Sequence, residues 1–229
     1  MLIVSAAIYV PVLILRKVLP EMDWEAKAGL SHPAVARFGG LALLGLLTFL
    51  VMVCSGIPRQ DFGFRRAQGA WLGFAMAGAL AGIVSTIVLK VSGGGGLDAA
   101  LAGVAPLEVL CVLLLATVVE ELFVRGWMQG FLAPLQDRGI TLLGLWISIP
   151  VATGALTFGA MHLSLTMNAI DPLTIACILI FTTVLGALAG LARERTGSLV
   201  PAIGTHLAGN VGGILGGIAY AIVTAPAHA

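Results

Sequence analysis

The chain has 229 residues, of which 59% are apolar and only 10% charged, with 12 Lys plus Arg against 11 Asp plus Glu and a formal net charge of +1. Soluble domains carry about 25% charged residues, so with a mean hydropathy of +1.06 this composition argues against a water-clad cytosolic enzyme and for a single integral membrane domain spanning residues 1–229. The scattered cations form no basic stripe, so no nucleic-acid partner is expected. Cys54, Cys111 and Cys177 lie singly in apolar runs without a CxxC pair, which suggests neither a disulfide framework nor a thiolate zinc site.

In chain order, the apolar stretches fall at residues 2–19, 38–57, 69–91, 101–132, 140–165, 172–191 and 199–223. At about 20 residues per span they predict an all-α, polytopic transmembrane bundle of about seven or eight helices with a polar cavity inside the membrane. The first stretch has no basic residues before it and Arg16 and Lys17 after it, the pattern of a retained anchor. Polar connections are expected at residues 21–37, 58–68, 93–96, 136–139, 168–171 and 193–198. Arg16, Lys17, Lys27, Arg37 and Lys90 fall on one side of a seven-span arrangement. Arg59, Arg65, Arg66, Arg125, Arg138, Arg193 and Arg195 fall on the other, a division too even for the positive-inside rule to set the orientation. Gly186 with Gly190, and Gly209 with Gly213 and Gly217, repeat every four residues and predict close helix packing.

The informative residues are polar ones inside spans. All five aspartates lie in loops or at span ends, whereas Glu120 and Glu121 sit within the fourth stretch. Pro106 and Glu108 read as the first turn of that helix. At 1.5 Å per residue, Glu120 then lies roughly 21 Å further on, inside a hydrocarbon layer ~30 Å thick. A charge at the bilayer centre costs on the order of 2.5–3.5 kcal/mol even on the lenient insertion scale, so two in succession imply a protein-lined or wet cavity. Residues four apart share a helix face, so Glu121 can pair with Arg125 and leave Glu120 aimed elsewhere. That pair reads equally as a helix-stabilising ion pair or as part of a reactive site. His32 and His228 read as solvated side chains of a loop and a tail. His162 follows Phe158 by one turn and His206 precedes Asn210 by one turn, which puts each pair on a common helix face.

Together, Glu120, Glu121 and Arg125 in EELFVR, Phe158 and His162 in FGAMH, and His206 and Asn210 in HLAGN resemble the three ordered motifs of the CAAX prenyl protease and bacteriocin-processing family, which includes the type II CAAX endopeptidases. The resemblance covers a motif-bearing core at about residues 107–217. It implies an intramembrane glutamate protease in which Glu120 takes the catalytic place and His162 helps to hold and activate a water. By the same resemblance His206 and Asn210 stabilise the oxyanion while Glu121 and Arg125 hold the site together. The chemistry is compatible: a carboxylate withdrawn from solvent is a stronger base, and amide and imidazole groups can donate to a developing oxyanion.

No cofactor is implied. A zinc hydrolase with Glu120, His162 and His206 as ligands is the nearest rival enzyme. A non-catalytic immunity, scaffold or transport protein on the same fold is the alternative outside catalysis. The expected partners are the bilayer and a membrane-associated protein or peptide; neither its identity nor an oligomeric state follows from the residues. The Ala-, Gly- and Leu-rich composition points to a prokaryotic cytoplasmic (inner) membrane.

Overall fold

A computed structural model of the protein describes residues 32–94, 106–163 and 170–225. The expected first span at residues 2–19, His228, and parts of the connections at 93–96 and 168–171 lie outside the described residues. The described chain is mostly helical. Helix α1 (His32–Cys54) is followed by a 3-10 turn (Arg59–Phe62) and α2 (Leu72–Val91). Helix α3 (Pro106–Glu121) runs into a π-helical segment (Leu122–Met128), then a last helical turn (Gln129–Phe131) and a 3-10 turn (Ala133–Leu135). An antiparallel hairpin, β1 (Gly139–Leu142) and β2 (Leu145–Ser148), leads into α4 (Ile149–Met161), and α5 (Pro172–Thr196) and α6 (Leu199–Thr224) complete the described part.

Among the described residues, α2, α5 and α6 are long and apolar enough to cross a membrane, and Gly39–Cys54 of α1 and α4 are shorter apolar helices. Their outward faces invert the pattern of a soluble protein. Leu72, Met76, Leu80, Val84 and Val88 form an exposed stripe at four-residue spacing along α2, and Val211, Ile214, Leu215, Ile218 and Ile222 do the same on α6. In water such stripes would be a large exposed apolar patch; in lipid they are simply solvated.

Three expectations change. The stretch at 140–165 is not one span: its first part is the hairpin, so the fold carries a small sheet beside its helices, and α4 starts only at Ile149. Ser148 marks that start by accepting the Val151 N–H on its Oγ at 3.2 Å, with Pro150 in the first turn. His32, expected in a loop, begins α1, and α5 continues through the expected connection at 193–198 as far as Thr196. Asp171 caps α5 by accepting the Thr174 N–H at 2.8 Å and the Thr174 hydroxyl at 2.5 Å. The hydroxyl bond, foremost, holds the Asp171 carboxyl below the usual carboxylate range. Gly197, at φ 70°, supplies the left-handed turn between α5 and α6.

The most extensive helix contact is between α2 and α6. Gly209 and Gly213 belong to it as the repeat predicts, meeting Gly82 of α2, and Gly212 and Gly216 join them from α6 against Ala79 and Ile83, while Gly78 of α2 lies against Thr205. Helices in lipid gain no hydrophobic driving force from meeting, so close backbone approach supplies the packing. A methyl group on Gly82 would collide with the Gly209 carbonyl oxygen, whereas one on Gly73 would meet nothing within 4 Å. Gly82→Ala is therefore expected to destabilise the protein by about 1–3 kcal/mol through overpacking, while Gly73→Ala stabilises by about 0.5–1 kcal/mol through helix propensity. Thermal unfolding in detergent checks both; a Gly82→Ala protein as stable as its parent contradicts the packing.

Candidate active site

The centre of the molecule is built where α3 widens into its π-helical segment. Phe123 to Met128 are all buried, an unbroken run that a helix with one solvated face would not permit. A wider turn is frequently found at functional positions, and here it directly follows Glu120 and Glu121. Glu121 and Arg125 have no exposed surface, and Arg125 Nη1 donates to Glu121 Oε1 at 2.7 Å. Arg125, grouped with the loop cations in the sequence, is thus an interior residue.

The guanidinium has two further anchors. Its Nη2 donates to the Gly186 carbonyl of α5 at 2.9 Å, and its Cζ stands 4.6 Å from the centroid of the Phe158 ring on α4. One turn on, Gln129 Nε2 donates to the Gly190 carbonyl at 3.0 Å. The glycine pair of α5 thus receives two side chains of the α3 rod as well as allowing α4 to approach, since Gly186 lies against Ala155 and Gly190 against Val151.

His206 of α6 reaches the same carboxylate: its Nδ1 lies 2.9 Å from Glu121 Oε1. A carboxylate oxygen accepts only, so Nδ1 carries the hydrogen and Nε2 is left for other partners. His162, in the cap position at the end of α4, has Nδ1 2.9 Å from the Phe158 carbonyl. By the same reasoning its Nε2 is the acceptor of the neutral ring. Phe158 lies between them, edge-on to His162 at 5.2 Å and to His206 at 5.0 Å between ring centroids. Asn210, one turn beyond His206, donates from Nδ2 to the buried Thr117 Oγ1 at 3.1 Å.

The structure therefore links Glu121, Arg125, His162 and His206 through Phe158 and the Glu121 carboxylate, with Asn210 one turn beyond His206 and tied to Thr117 of α3. Glu120 adjoins Glu121 on α3 and is half-buried, while Glu121 is wholly buried. The neighbours on one helix thus divide between a wholly enclosed carboxylate and a partly exposed one. Thr117 and Gln129 escaped the sequence reading, and Gly186 and Gly190 were legible there as packing residues but not as acceptors, because a threonine, a glutamine and a backbone carbonyl carry no signal of their own in an apolar run. Glu121 Oε2 and Arg125 Nε are buried without a hydrogen-bond partner among the described residues. Among the described residues no group of three His, Cys, Asp or Glu side chains is spaced to hold a metal ion.

Truncating one member of a buried ion pair leaves its partner uncompensated, at a cost of about 3–5 kcal/mol. Arg125→Ala is expected to lose stability on that scale in detergent unfolding. Arg125→Lys is expected to recover only part of it, because an ammonium cannot reproduce the fork to both Glu121 and Gly186; full stability in both variants would contradict the assignment.

Comparison with known families matches residues 102–212 to the Rce1-like family, the type II CAAX prenyl endopeptidases. Comparisons with curated proteins and with solved structures give no match.

Proposed function

Residues 102–212 form an Rce1-like domain of the type II CAAX prenyl endopeptidase family, and from that premise we propose that the protein hydrolyses a peptide bond at the membrane with water activated by Glu120 and His162. The family is one of membrane proteases, and the long apolar helices make this chain an integral membrane protein. The observation that carries the finer reading is the convergence of three separate sequence motifs on Phe158 and Glu121, with both imidazoles tied through Nδ1.

In this reading, water sits between the Glu120 carboxylate and His162 Nε2. Glu120 takes the proton as the water oxygen attacks the scissile carbonyl. The negative oxygen that develops is met by the second N–H of the Asn210 amide, whose first N–H is held by Thr117. It is also met by His206, whose ring is held at Nδ1 by Glu121 and which donates from Nε2 when it carries a hydrogen there. The proton on Glu120 then passes to the leaving nitrogen, giving a new carboxylate and an amine without a covalent intermediate. Glu121 and Arg125 touch no substrate; they fix His206 and, through Phe158, His162. The substrate is a membrane-associated protein or peptide, and the composition favours a prokaryotic inner membrane as the setting.

Glu120→Gln keeps size and polarity and removes the base. It is expected to lower turnover by roughly 10²- to 10⁴-fold, read by comparing membrane peptides from cells carrying the wild-type and variant proteins. Cleavage unchanged by this substitution would overturn the proposal, and wild-type cleavage abolished by excess chelator would move it to a metal-dependent mechanism. Thr117→Val removes the acceptor for the Asn210 amide without changing volume. It is expected to lower kcat with little change in KM, with Thr117→Ser restoring activity; equal loss in both variants would mean that Thr117 acts through packing alone.

A further inference from the structure

The hairpin β1–β2 stands apart from the site and serves no role in the proposed chemistry. It is nonetheless built in an unusual way. Ile140, Leu142, Leu143, Leu145 and Trp146 are all exposed, with Leu143 at the tip 95% exposed. Beyond pairing with each other, the strands lean chiefly on α4. The turn is Leu143 at φ 50° followed by Gly144 at φ 78°. Two consecutive left-handed residues make the tight hairpin turn that Asn-Gly or Asp-Gly usually fills. A leucine there incurs steric strain at its Cβ and, in water, exposes its whole side chain with nothing gained. The exposed apolar side chains on a barely supported ribbon are those expected where the surroundings are themselves apolar.

The charges around the hairpin say what those surroundings are. Arg138 immediately precedes β1, and its carbonyl accepts the Ile149 N–H at 2.7 Å. At the other end, Ser148 donates to Glu194 Oε2 at 2.5 Å, next to Arg195 on α5. Arg193 donates to the Asp61 carbonyl, and Arg65 Nε donates to the Gly197 carbonyl at 2.7 Å, which ties the 3-10 turn and the start of α2 to the same end of the bundle. Arg59, Arg65, Arg66, Arg138 and Arg195 are exposed there, outnumbering the exposed Asp61 and Asp137. An apolar tip with a cationic rim matches the boundary between acyl chains and anionic headgroups, where arginines meet phosphate and a tryptophan ring sits at headgroup level. Trp146 fits that level, its indole N–H donating to the Gln136 carbonyl at 3.3 Å.

We propose that this hairpin is an interfacial anchor: Leu142, Leu143 and Leu145 dip among the acyl chains of one leaflet, and the arginine rim binds the anionic headgroups above them. The inference does not depend on the protease reading. It is tested in the full chain with Cys54, Cys111 and Cys177 replaced and a polarity-sensitive fluorophore on Leu143→Cys, reconstituted in phosphatidylcholine–phosphatidylglycerol vesicles. Ile180→Cys, on the exposed face of α5, serves as the reference for acyl-chain depth, and Leu145→Cys repeats the measurement should the tip variant unfold. The expected result is blue-shifted emission quenched at least twofold by lipids bearing a spin label high on the acyl chain and untouched by aqueous iodide. Replacing Arg138 and Arg195 by Gln is expected to weaken that lipid quenching. Iodide quenching without lipid quenching would make the hairpin an aqueous loop, and protection from both would mean that protein covers it; either outcome overturns the anchor.

Discussion

The Glu121 carboxylate is the constraint on which the site depends. One oxygen, wholly buried, receives both the Arg125 guanidinium and the His206 imidazole. A carboxylate in such a place is tolerated only with its counter-charge beside it, so the arginine must follow one turn later and its remaining donors must find acceptors. One of those donors, Nη2, finds its acceptor in the Gly186 carbonyl of α5, while the guanidinium carbon lies over the Phe158 ring. From this single requirement the relative placement of α3, α4, α5 and α6 follows, and with it the two imidazoles and the amide that line the proposed reaction centre.

Glycine makes that placement physically accessible. An interior carbonyl in a helix already accepts one N–H, and a second donor reaches it only where the side chain above it is small. Gly186 and Gly190 meet this condition for Arg125 and Gln129. On α6, Gly209 and Gly213 facing Gly82, and Gly212 and Gly216 facing Ala79 and Ile83, draw α2 against the helix that carries His206 and Asn210. The lipid-facing surfaces contribute little to these choices, because an apolar side chain gains nothing by leaving acyl chains for a neighbouring helix. Specificity in this bundle is carried by polar contacts and close backbone approach.

Much of this was legible because helical periodicity is a local property. The spans of α2, α5 and α6, the Glu121 to Arg125 spacing and the edge-on packing of Phe158 with His162 all follow from residues three or four apart. The meeting of His206 with Glu121, 85 positions away, has no local signature, and only the resemblance of three ordered motifs anticipated a shared site. Other features were out of reach. The π-helical segment leaves no mark in an apolar run, and Thr117 reads as one more small residue in a span. The hairpin hid because its turn is Leu-Gly rather than Asn-Gly and its strands are as hydrophobic as a membrane helix. Ser148 and Pro150 did signal where α4 begins, and read as a helix start they separate the hairpin from the helix.

The account comes down to two histidines anchored by Nδ1, so that Nε2 of each is the nitrogen presented to the reaction. Nitrogen-15 magnetic resonance of the protein in lipid, with resonances assigned by single histidine replacements, reads this directly. The account predicts that His162 and His206 both carry hydrogen on Nδ1 in the resting protein, and that Glu121→Gln disturbs the signal of His206 while leaving that of His162 in place. A resting Nε2–H tautomer at either histidine, or a His206 signal indifferent to the loss of the Glu121 charge, would contradict it.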